Sequence, residues 1–129
     1  MEALKNLKIL VAEDNWINQR IATLTFRQLG VSIDIASNGQ EALEKYSENA
    51  YDLILMDLQM PVMDGLEAAR QIRAYEEETK SIHRVYIVAL TANLNPEIKE
   101  ECAIAGMDDF MEKPFQESDL RTLLSKKIN

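Results

Sequence analysis

The stretch YDLILMDLQMPVMDG, residues 51–65, places a carboxylate at the end of an unbroken apolar run. Residues 53–56 (LILM) are consecutive large apolar side chains, a pattern typical of a strand that is buried on both faces of a parallel sheet. Asp57 follows them with no polar lead-in. An ionised carboxylate at the edge of a core is costly unless a cation or hydrogen-bond donors compensate it. The stretch therefore predicts a buried strand that ends in an acid with a chemical purpose.

At 129 residues, the chain is long enough to enclose its own core, and we expect one domain over residues 1–129. Apolar residues make up 47% of the chain and charged residues 28%, which is ordinary for a soluble globular protein. The formal net charge of −8 argues against direct binding to nucleic acid or to an anionic membrane surface, because both are negatively charged.

Cysteine content and hydropathy indicate where such a protein would work. Cys102 is the only cysteine, so the chain cannot form an internal disulfide, which fits a reducing compartment. The apolar runs are far too short to cross a bilayer, and the start of the chain, MEALKNLKIL, lacks the layout of a signal peptide. These features predict a soluble, cytoplasmic protein that does not insert into membranes.

Short apolar runs alternate with amphipathic stretches along the whole chain. The predicted strands cover residues 7–12, 31–36, 53–56, 85–90 and 108–112. The predicted helices cover residues 15–30, 38–48, 64–77, 96–106 and 117–128. This alternation predicts an α/β fold with a parallel sheet and helices on both faces. With right-handed crossovers and short loops, the favoured topology is a flavodoxin-like (βα)5 three-layer sandwich with strand order 2-1-3-4-5.

The first predicted helix offers apolar positions for packing and one aromatic residue near its start. Ile17, Ile21, Leu24 and Leu29 recur at helical spacing, and we expect them to face the core. For Trp16, two placements remain open at this stage: beside the residues that follow the first strand, or partly packed on the helix.

Polar side chains follow the strands predicted to lie at or beyond the point where strand order reverses, which is where ligands bind in open parallel sheets. Glu13 and Asp14 follow the first strand, Asp57 the third, Thr91 the fourth and Lys113 the fifth. Each residue alone has an ordinary interpretation as a loop, cap or surface residue. The fold, however, places these strand ends side by side, so together they predict one site.

Three carboxylates in one crevice would each resist ionisation unless a cation neutralises them. Mg²⁺ suits this set because it prefers oxygen ligands and completes its shell with water or phosphate. Asp14 and Asp57 could ligate it directly and Glu13 through water, with a main-chain carbonyl just past Asp57 adding an oxygen. Lys113 could contact Asp57 and an incoming phosphoryl oxygen. Because an aspartate carboxylate can act as a nucleophile, the site predicts formation of an aspartyl phosphate at Asp57.

Four segments in order, ILVAEDN, DLILMDLQMPVMDG, IVALTA and MEKPF, resemble the receiver domain of two-component response regulators. The resemblance implies that Glu13 and Asp14 are the acidic metal pair and that Gln59 offers its backbone carbonyl to Mg²⁺. It implies that Asp57 accepts phosphate from a phosphohistidine on a histidine kinase or a histidine-phosphotransfer domain. It also implies that Thr91 and Lys113 contact the phosphoryl group. Such a domain is not an enzyme in the usual sense but assists its own Mg²⁺-dependent phosphorylation and dephosphorylation.

The same resemblance implies how a signal would leave the domain. Thr91 would turn inward while Phe110, which matches the position of a switching aromatic residue, rotates; it is Phe where many members carry Tyr. The output surface would be the helix that begins at Pro96, the fifth strand and the last helix. The Lys113–Pro114 peptide would be cis, which proline tolerates. Details such as EDNWINQ and AGMDDFMEKP look most like receivers of hybrid sensor kinases, in which the domain could be the cytoplasmic end of a membrane-bound protein.

Three other functions are weighed against this interpretation. A flavin-binding electron carrier would need a Ser/Thr/Gly-rich phosphate loop after the first strand, where Glu13 and Asp14 would repel a flavin phosphate. A degenerate receiver that acts only as a protein-interaction module would lack acceptor-site groups, yet all of them are present. A phosphatase with an aspartate nucleophile would carry a second acid two residues after Asp57, where Gln59 stands.

Overall fold

The structure, a computed structural model, describes residues 6–128 and is built on one five-stranded parallel sheet. The strand order is β2-β1-β3-β4-β5, and every neighbouring pair is parallel. The strands are β1 (Ile9–Ala12), β2 (Ile33–Ala36), β3 (Leu53–Asp57), β4 (Tyr86–Thr91) and β5 (Asp109–Glu112). The predicted fold class and strand order are confirmed.

Helices cover both faces of this sheet and make the predicted three-layer sandwich. They are α1 (Trp16–Gln28), α2 (Gly39–Glu48), α3 (Gly65–Glu78), α4 (Pro96–Ile104) and α5 (Glu117–Ile128). Buried side chains of α1 and α5 share one core cluster, and those of α2, α3 and α4 share the other. Within the described residues, no helix is both long and apolar enough to span a bilayer.

The central strand β3 is buried along its whole length. Ile54 and Met56 pack into the cluster that contains α2, α3 and α4, whereas Leu53 and Leu55 pack into the cluster that contains α1 and α5. Because successive side chains of a strand point to opposite faces, only an unbroken apolar run can satisfy both layers. The apolar run before Asp57 is therefore what makes this strand the centre of the sheet.

Side-chain caps fix where four of the helices begin. Asn15, Asn38, Asp64 and Asn95 each precede a helix, and each side chain accepts the backbone N–H three residues further on. Such caps satisfy amide groups that have no partner within the helix. The cap at Asp64 fixes the point at which the loop after β3 ends.

The predicted core-facing side of α1 is wrong for three of its four residues. Ile17, Ile21 and Leu24 are 53%, 50% and 43% exposed, and only the fourth, Leu29, is buried. Ala22 and Phe26 provide the rest of the buried face. The helix carries two apolar stripes, and the stripe that contains Ala22 and Phe26 is the one that packs on the sheet.

Strands β1 and β2 begin two residues later than predicted because polar contacts engage the residues before them. The backbone N–H of Lys8 donates to Asp52 Oδ2 at 2.8 Å, so β1 begins at Ile9. Gly30 has φ 80°, and the N–H of Val31 donates to the carbonyl of Phe26 at 3.0 Å. Residues 30 and 31 therefore belong to the turn that ends α1.

Candidate functional site

The carboxyl ends of four parallel strands bring the predicted site residues to one edge of the sheet. Ala12 pairs with Met56, so Glu13, which follows β1, and Asp57, the last residue of β3, lie at neighbouring positions. Thr91 lies one residue past the strand partner of Asp57. The backbone N–H of Lys113 donates to the carbonyl of Thr91 at 2.8 Å, which places Lys113 directly after β5.

Three carboxylates converge at this edge. Glu13, Asp14 and Asp57 each offer one oxygen, and these oxygens all lie within 4.8 Å of one another. Glu13 and Asp57 are each 3% exposed, whereas Asp14 is open to solvent. Two acids therefore form the floor of a crevice, and the third lies at its mouth.

Lys113 and a backbone amide compensate the charge of Asp57. Lys113 Nζ donates to Asp57 Oδ2 at 2.8 Å and to Glu13 Oε2 at 3.4 Å. The backbone N–H of Gln59 donates to Asp57 Oδ1 at 3.1 Å. Burial alone would lower the pKa of Lys113, but its hydrogen bond to Asp57 and the charges of Asp57 and Glu13 outweigh burial and raise that pKa. The ammonium is therefore held in its charged form.

The surroundings of Glu13 raise its pKa. Burial raises the pKa of Glu13, and the neighbouring Asp57 carboxylate raises it further; the amide of Asn18 and the charge of Lys113 act in the opposite direction. Glu13 Oε1 accepts from Asn18 Nδ2 and from the backbone N–H of Asn15, both at 3.2 Å. With one ammonium for three acids, the crevice holds more negative than positive charge.

This donor set fits a hard divalent cation. Three carboxylates supply oxygen ligands from two adjacent strand ends, and Gln59 lies exposed on the rim of the same crevice. Mg²⁺ takes ligands of this kind and retains several waters. The open mouth of the crevice leaves room for those waters or for a phosphate.

Thr91 and Phe110 are not among the residues that line the acidic crevice. Thr91 is half-buried at the end of β4, and its Oγ1 accepts the backbone N–H of Asn93 at 3.2 Å. Phe110 is half-buried on β5, and Lys99 Nζ of α4 lies 4.9 Å from the centre of its ring. The Lys113–Pro114 peptide is cis. The structure thus groups the acids and Lys113 in the crevice and leaves the two predicted switch residues beside it.

Sequence reasoning missed an apolar surface next to the crevice. Trp16 is 72% exposed, which excludes partial packing, one of the two placements left open for it. With Ile17, Ile21 and Leu24 it forms an exposed stripe on α1, here called the α1 stripe. Ile21 also lines a cleft of about 300 Å³. Residues shared by the linings of this cleft and of the acidic crevice are Glu13, Asn18 and Lys113. The sequence indicated this exposed surface through the number of apolar residues on α1, because one buried face of a helix cannot accommodate all of them.

Comparison with known proteins identifies relatives of the whole chain. The model of the response regulator receiver domain family matches residues 9–125. Hybrid signal transduction histidine kinase B of Dictyostelium discoideum is 44% identical over 127 residues, which cover 93% of this chain and 6% of that protein. Histidine kinase 5 of Arabidopsis thaliana is 40% identical in an alignment 144 positions long that covers 95% of this chain and 16% of that protein. The chain therefore spans only a small part of these relatives.

Solved structures give the same relationship in three dimensions. A co-crystal structure of the Saccharomyces cerevisiae histidine phosphotransfer protein Ypd1 with the receiver domain of its downstream response regulator Ssk1 matches with TM-score 0.85 and 38% identity, covering 95% of this chain and 87% of that chain. The receiver domain of sensor histidine kinase PA1611 from Pseudomonas aeruginosa PAO1, with a magnesium ion in its active-site cleft, matches with TM-score 0.83 and 39% identity, covering 95% and 97%. From the family match, the sequence identities and the shared fold, this chain belongs to the response regulator receiver domain family.

Proposed function

We propose that residues 1–129 form a phosphoacceptor switch of a two-component phosphorelay, with Asp57 as the acceptor. The observation that carries this proposal is a buried aspartate whose carboxylate accepts from Lys113 Nζ at 2.8 Å. Oxygens of two further acids lie within 4.8 Å of it, close enough to share one metal ion with it. A buried carboxylate must be compensated whatever its role, and a compensated acid in an open crevice beside two further acids is typical of a functional site. Its other oxygen, Oδ1, carries a single amide donor and faces the crevice.

The transfer step begins with attack of an Asp57 carboxylate oxygen on the phosphorus of a donor phosphohistidine. The new O–P bond forms as the P–N bond breaks, and the bonding pair returns to the imidazole, which leaves neutral when its other nitrogen carries a proton. Lys113 stabilises charge on the phosphoryl oxygens, and Thr91 donates its hydroxyl to one of them after turning inward. Attack of water on the phosphorus later regenerates the carboxylate and releases inorganic phosphate.

Glu13, Asp14, Asp57 and the backbone carbonyl of Gln59 would hold Mg²⁺. A bound Mg²⁺ would neutralise the carboxylates and the charge on the transferring phosphoryl group. The three carboxylate oxygens within 4.8 Å of one another support this assignment, as does the magnesium ion in the related Pseudomonas receiver. The domain would thereby assist its own phosphorylation and dephosphorylation without turning over a separate substrate.

Phosphorylation would be read on the face formed by α4, β5 and α5. The Thr91 hydroxyl, which now accepts from the backbone N–H of Asn93, would turn and donate to a phosphoryl oxygen. Phe110 would change its packing beneath Lys99. Such a switch requires two arrangements that phosphate stabilises to different extents. The half-buried Phe110 ring, bounded on one side by the exposed Lys99 rather than by core, supports this role.

A histidine kinase or a histidine-phosphotransfer domain would deliver the phosphate. The relatives named as hybrid histidine kinases and the co-crystal with Ypd1 support this class of donor, and they support a cytoplasmic domain within a longer kinase. The α1 stripe is the surface suited to that donor, because it is apolar, exposed and continuous with the cleft that shares Lys113 with the acidic crevice. A helix laid across it would bring a histidine to the mouth of the crevice.

Leu24→Glu tests that docking surface. The substitution puts a charge on the α1 stripe while keeping a good helix former, and we expect transfer from a phosphorylated histidine-phosphotransfer protein to slow about tenfold or more. Labelling by acetyl phosphate, which needs no docking surface, should not change. Ala74→Glu adds the same charge to an exposed position of α3 on the other face of the sheet and is the matched control. Equal rates for the two variants would exclude the α1 stripe as the docking surface.

Incubation with acetyl phosphate tests the acceptor function itself. In the presence of Mg²⁺, intact mass should increase by one phosphoryl group, and with a chelator it should not. At one fixed Mg²⁺ concentration, hydrogen exchange of the labelled protein should differ from that of the unlabelled protein in α4 and β5 and be the same in α2, which lies away from the proposed output face. A protein that gains no mass with acetyl phosphate or with a phosphorylated histidine-phosphotransfer protein would be an inert interaction module instead.

A further inference from the structure

The β3–α3 loop, residues 58–64, supplies much of the rim of the acidic crevice and includes Gln59. Backbone hydrogen bonds fasten both ends of this loop. The N–H of Leu58 donates to the carbonyl of Leu90 at 3.0 Å, and the N–H of Gly65 donates to the carbonyl of Leu58 at 3.2 Å. These bonds fix where the loop starts and stops, but they leave the path between those points to other contacts.

One such contact comes from the start of α2. The backbone N–H of Gly39 donates to the carbonyl of Met63 at 2.9 Å. A Cβ atom on Gly39 would lie 2.3 Å from that carbonyl oxygen and 3.0 Å from the carbonyl oxygen of Asp64. To restore ordinary contact, the Met63 oxygen would have to move by about 1 Å. Because the obstacle is main chain, no side-chain rotation relieves it.

The loop beside this contact is strained. The N–H of Met63 donates to the carbonyl of Pro61 at 2.7 Å, which closes a three-residue γ-turn around Val62. Val62 has φ 70° and is 82% exposed, so a β-branched residue occupies the left-handed region without burial to hold it there. Strained backbone of this kind persists only when surrounding contacts maintain it. The bond from Gly39 is a contact of that type.

We propose that Gly39 is a positioning residue of the phosphoacceptor site. Its missing side chain lets the start of α2 hold residues 58–64 in the shape that directs the Gln59 carbonyl toward the cation, and this inference rests on the proposed function. Gly39 itself has no positive φ, so alanine could adopt its backbone conformation. The glycine is needed for the space it leaves and not for a special turn.

Gly39→Ala separates positioning from a merely structural role. Alanine favours a helix more than glycine does, so an effect limited to α2 would leave Mg²⁺ binding unchanged. Positioning of the loop predicts that the Mg²⁺ dissociation constant rises about tenfold or more, the usual size of an outer-shell effect. Binding is followed by Trp16 fluorescence or by calorimetry, well below the melting temperature. Gln40→Ala, at the next position of α2, is the control because its side chain hydrogen-bonds to Glu44 across one helical turn rather than to the loop.

The wild-type protein provides a second measurement that needs no variant. Coupling between two sites is reciprocal, so Mg²⁺ binding at the loop must strengthen the Gly39 anchor in turn. The Gly39 amide should exchange more slowly with solvent when Mg²⁺ is added. The amide of Ala42, which donates within α2 to Asn38 at 3.0 Å, should slow less and reports any global stabilisation. This measurement decides the question if Gly39→Ala fails to fold.

The outcomes distinguish this inference from the proposed function. Weaker Mg²⁺ binding confined to Gly39→Ala, or slowing at Gly39 that exceeds slowing at Ala42, supports positioning. Equal affinities for Gly39→Ala and Gln40→Ala in folded proteins overturn it, while the acceptor function stands if the wild type still gains phosphate from acetyl phosphate. Failure of the wild type to bind Mg²⁺ overturns both the metal assignment and the positioning role.

Discussion

Replacing Asp57 with asparagine is expected to abolish phosphate incorporation from acetyl phosphate and from a phosphohistidine donor. The amide keeps the size of the carboxylate, so the crevice should keep its shape, but its single oxygen can replace only one of the two oxygens that accept from Lys113 Nζ and from the Gln59 N–H. It cannot attack phosphorus, because it lacks the anionic oxygen. We expect a rate loss of at least about 10³-fold, the order seen when a nucleophile is removed. The measurement is intact mass after incubation with donor and Mg²⁺.

Asp64→Asn is the matched control for this variant. Asp64 lies exposed on the rim of the same crevice and caps α3 by accepting the N–H of Glu67 at 2.8 Å. Asparagine caps a helix about as well as aspartate, so the control removes one acid from the crevice without removing the acceptor. If Asp57→Asn and Asp64→Asn gained phosphate equally fast, the acceptor would be a different residue.

The grouping of the site's side chains could be predicted from the sequence because the apolar run that ends at Asp57 indicates both a central strand and the residue at its end. The run before Asp57 has no polar residue, which favours the centre of a parallel sheet, and in that topology the residues after each apolar run meet at one edge. The contact between Lys113 and Asp57, 56 positions apart in the chain, follows from that topology alone. Nothing about the detailed loop paths was needed to expect it.

The features that could not be predicted depend on how the helices, strands and loops pack together, which local sequence patterns do not determine. α1 has two apolar stripes, and periodicity does not say which one meets the sheet; Phe26 does, and Ile17 is left exposed. The fit between Gly39 and the carbonyl of Met63 is a contact between two backbones that are distant in sequence, so no local pattern announces it. The hydroxyl of Thr91 has a free torsion, and only the structure shows that it accepts from Asn93. Surplus apolar residues and strained loops were therefore the weak points of the sequence reasoning.

Lys113→Gln is expected to have the second largest effect, on both stability and phosphorylation. Glutamine retains a hydrogen-bond donor but leaves Glu13 and Asp57, each 4% exposed at the side chain, without their cation. Loss of a partner from a largely buried pair should lower the free energy of unfolding by about 1–3 kcal/mol at neutral pH without metal. Phosphorylation by acetyl phosphate should slow by about 10²-fold or more, because the ammonium no longer stabilises the phosphoryl oxygens.

The pH dependence of this loss has a definite sign. Burial and Asp57 already raise the folded-state pKa of Glu13, and removal of the Lys113 charge, which acts to lower it, should raise that pKa further. A folded glutamate with a raised pKa binds protons more readily than the unfolded chain does, so stability increases as pH falls through the folded pKa. The deficit of Lys113→Gln relative to wild type should therefore shrink between neutral pH and mildly acidic pH. Urea unfolding at several pH values measures it.

Added Mg²⁺ provides the deciding comparison for the same variant. A ligand that binds only the folded state stabilises it by mass action, and in Lys113→Gln it also relieves repulsion that no ammonium offsets, so the metal should restore much of the lost stability. Lys126→Gln, whose ammonium is 61% exposed and 3.5 Å from Asp109, should change stability by no more than about 0.5 kcal/mol. If Lys113→Gln were as stable as Lys126→Gln without metal, the carboxylates of Glu13 and Asp57 would not depend on the Lys113 ammonium for stability. Asp57 would then not be the compensated acid on which the proposed phosphoacceptor role depends.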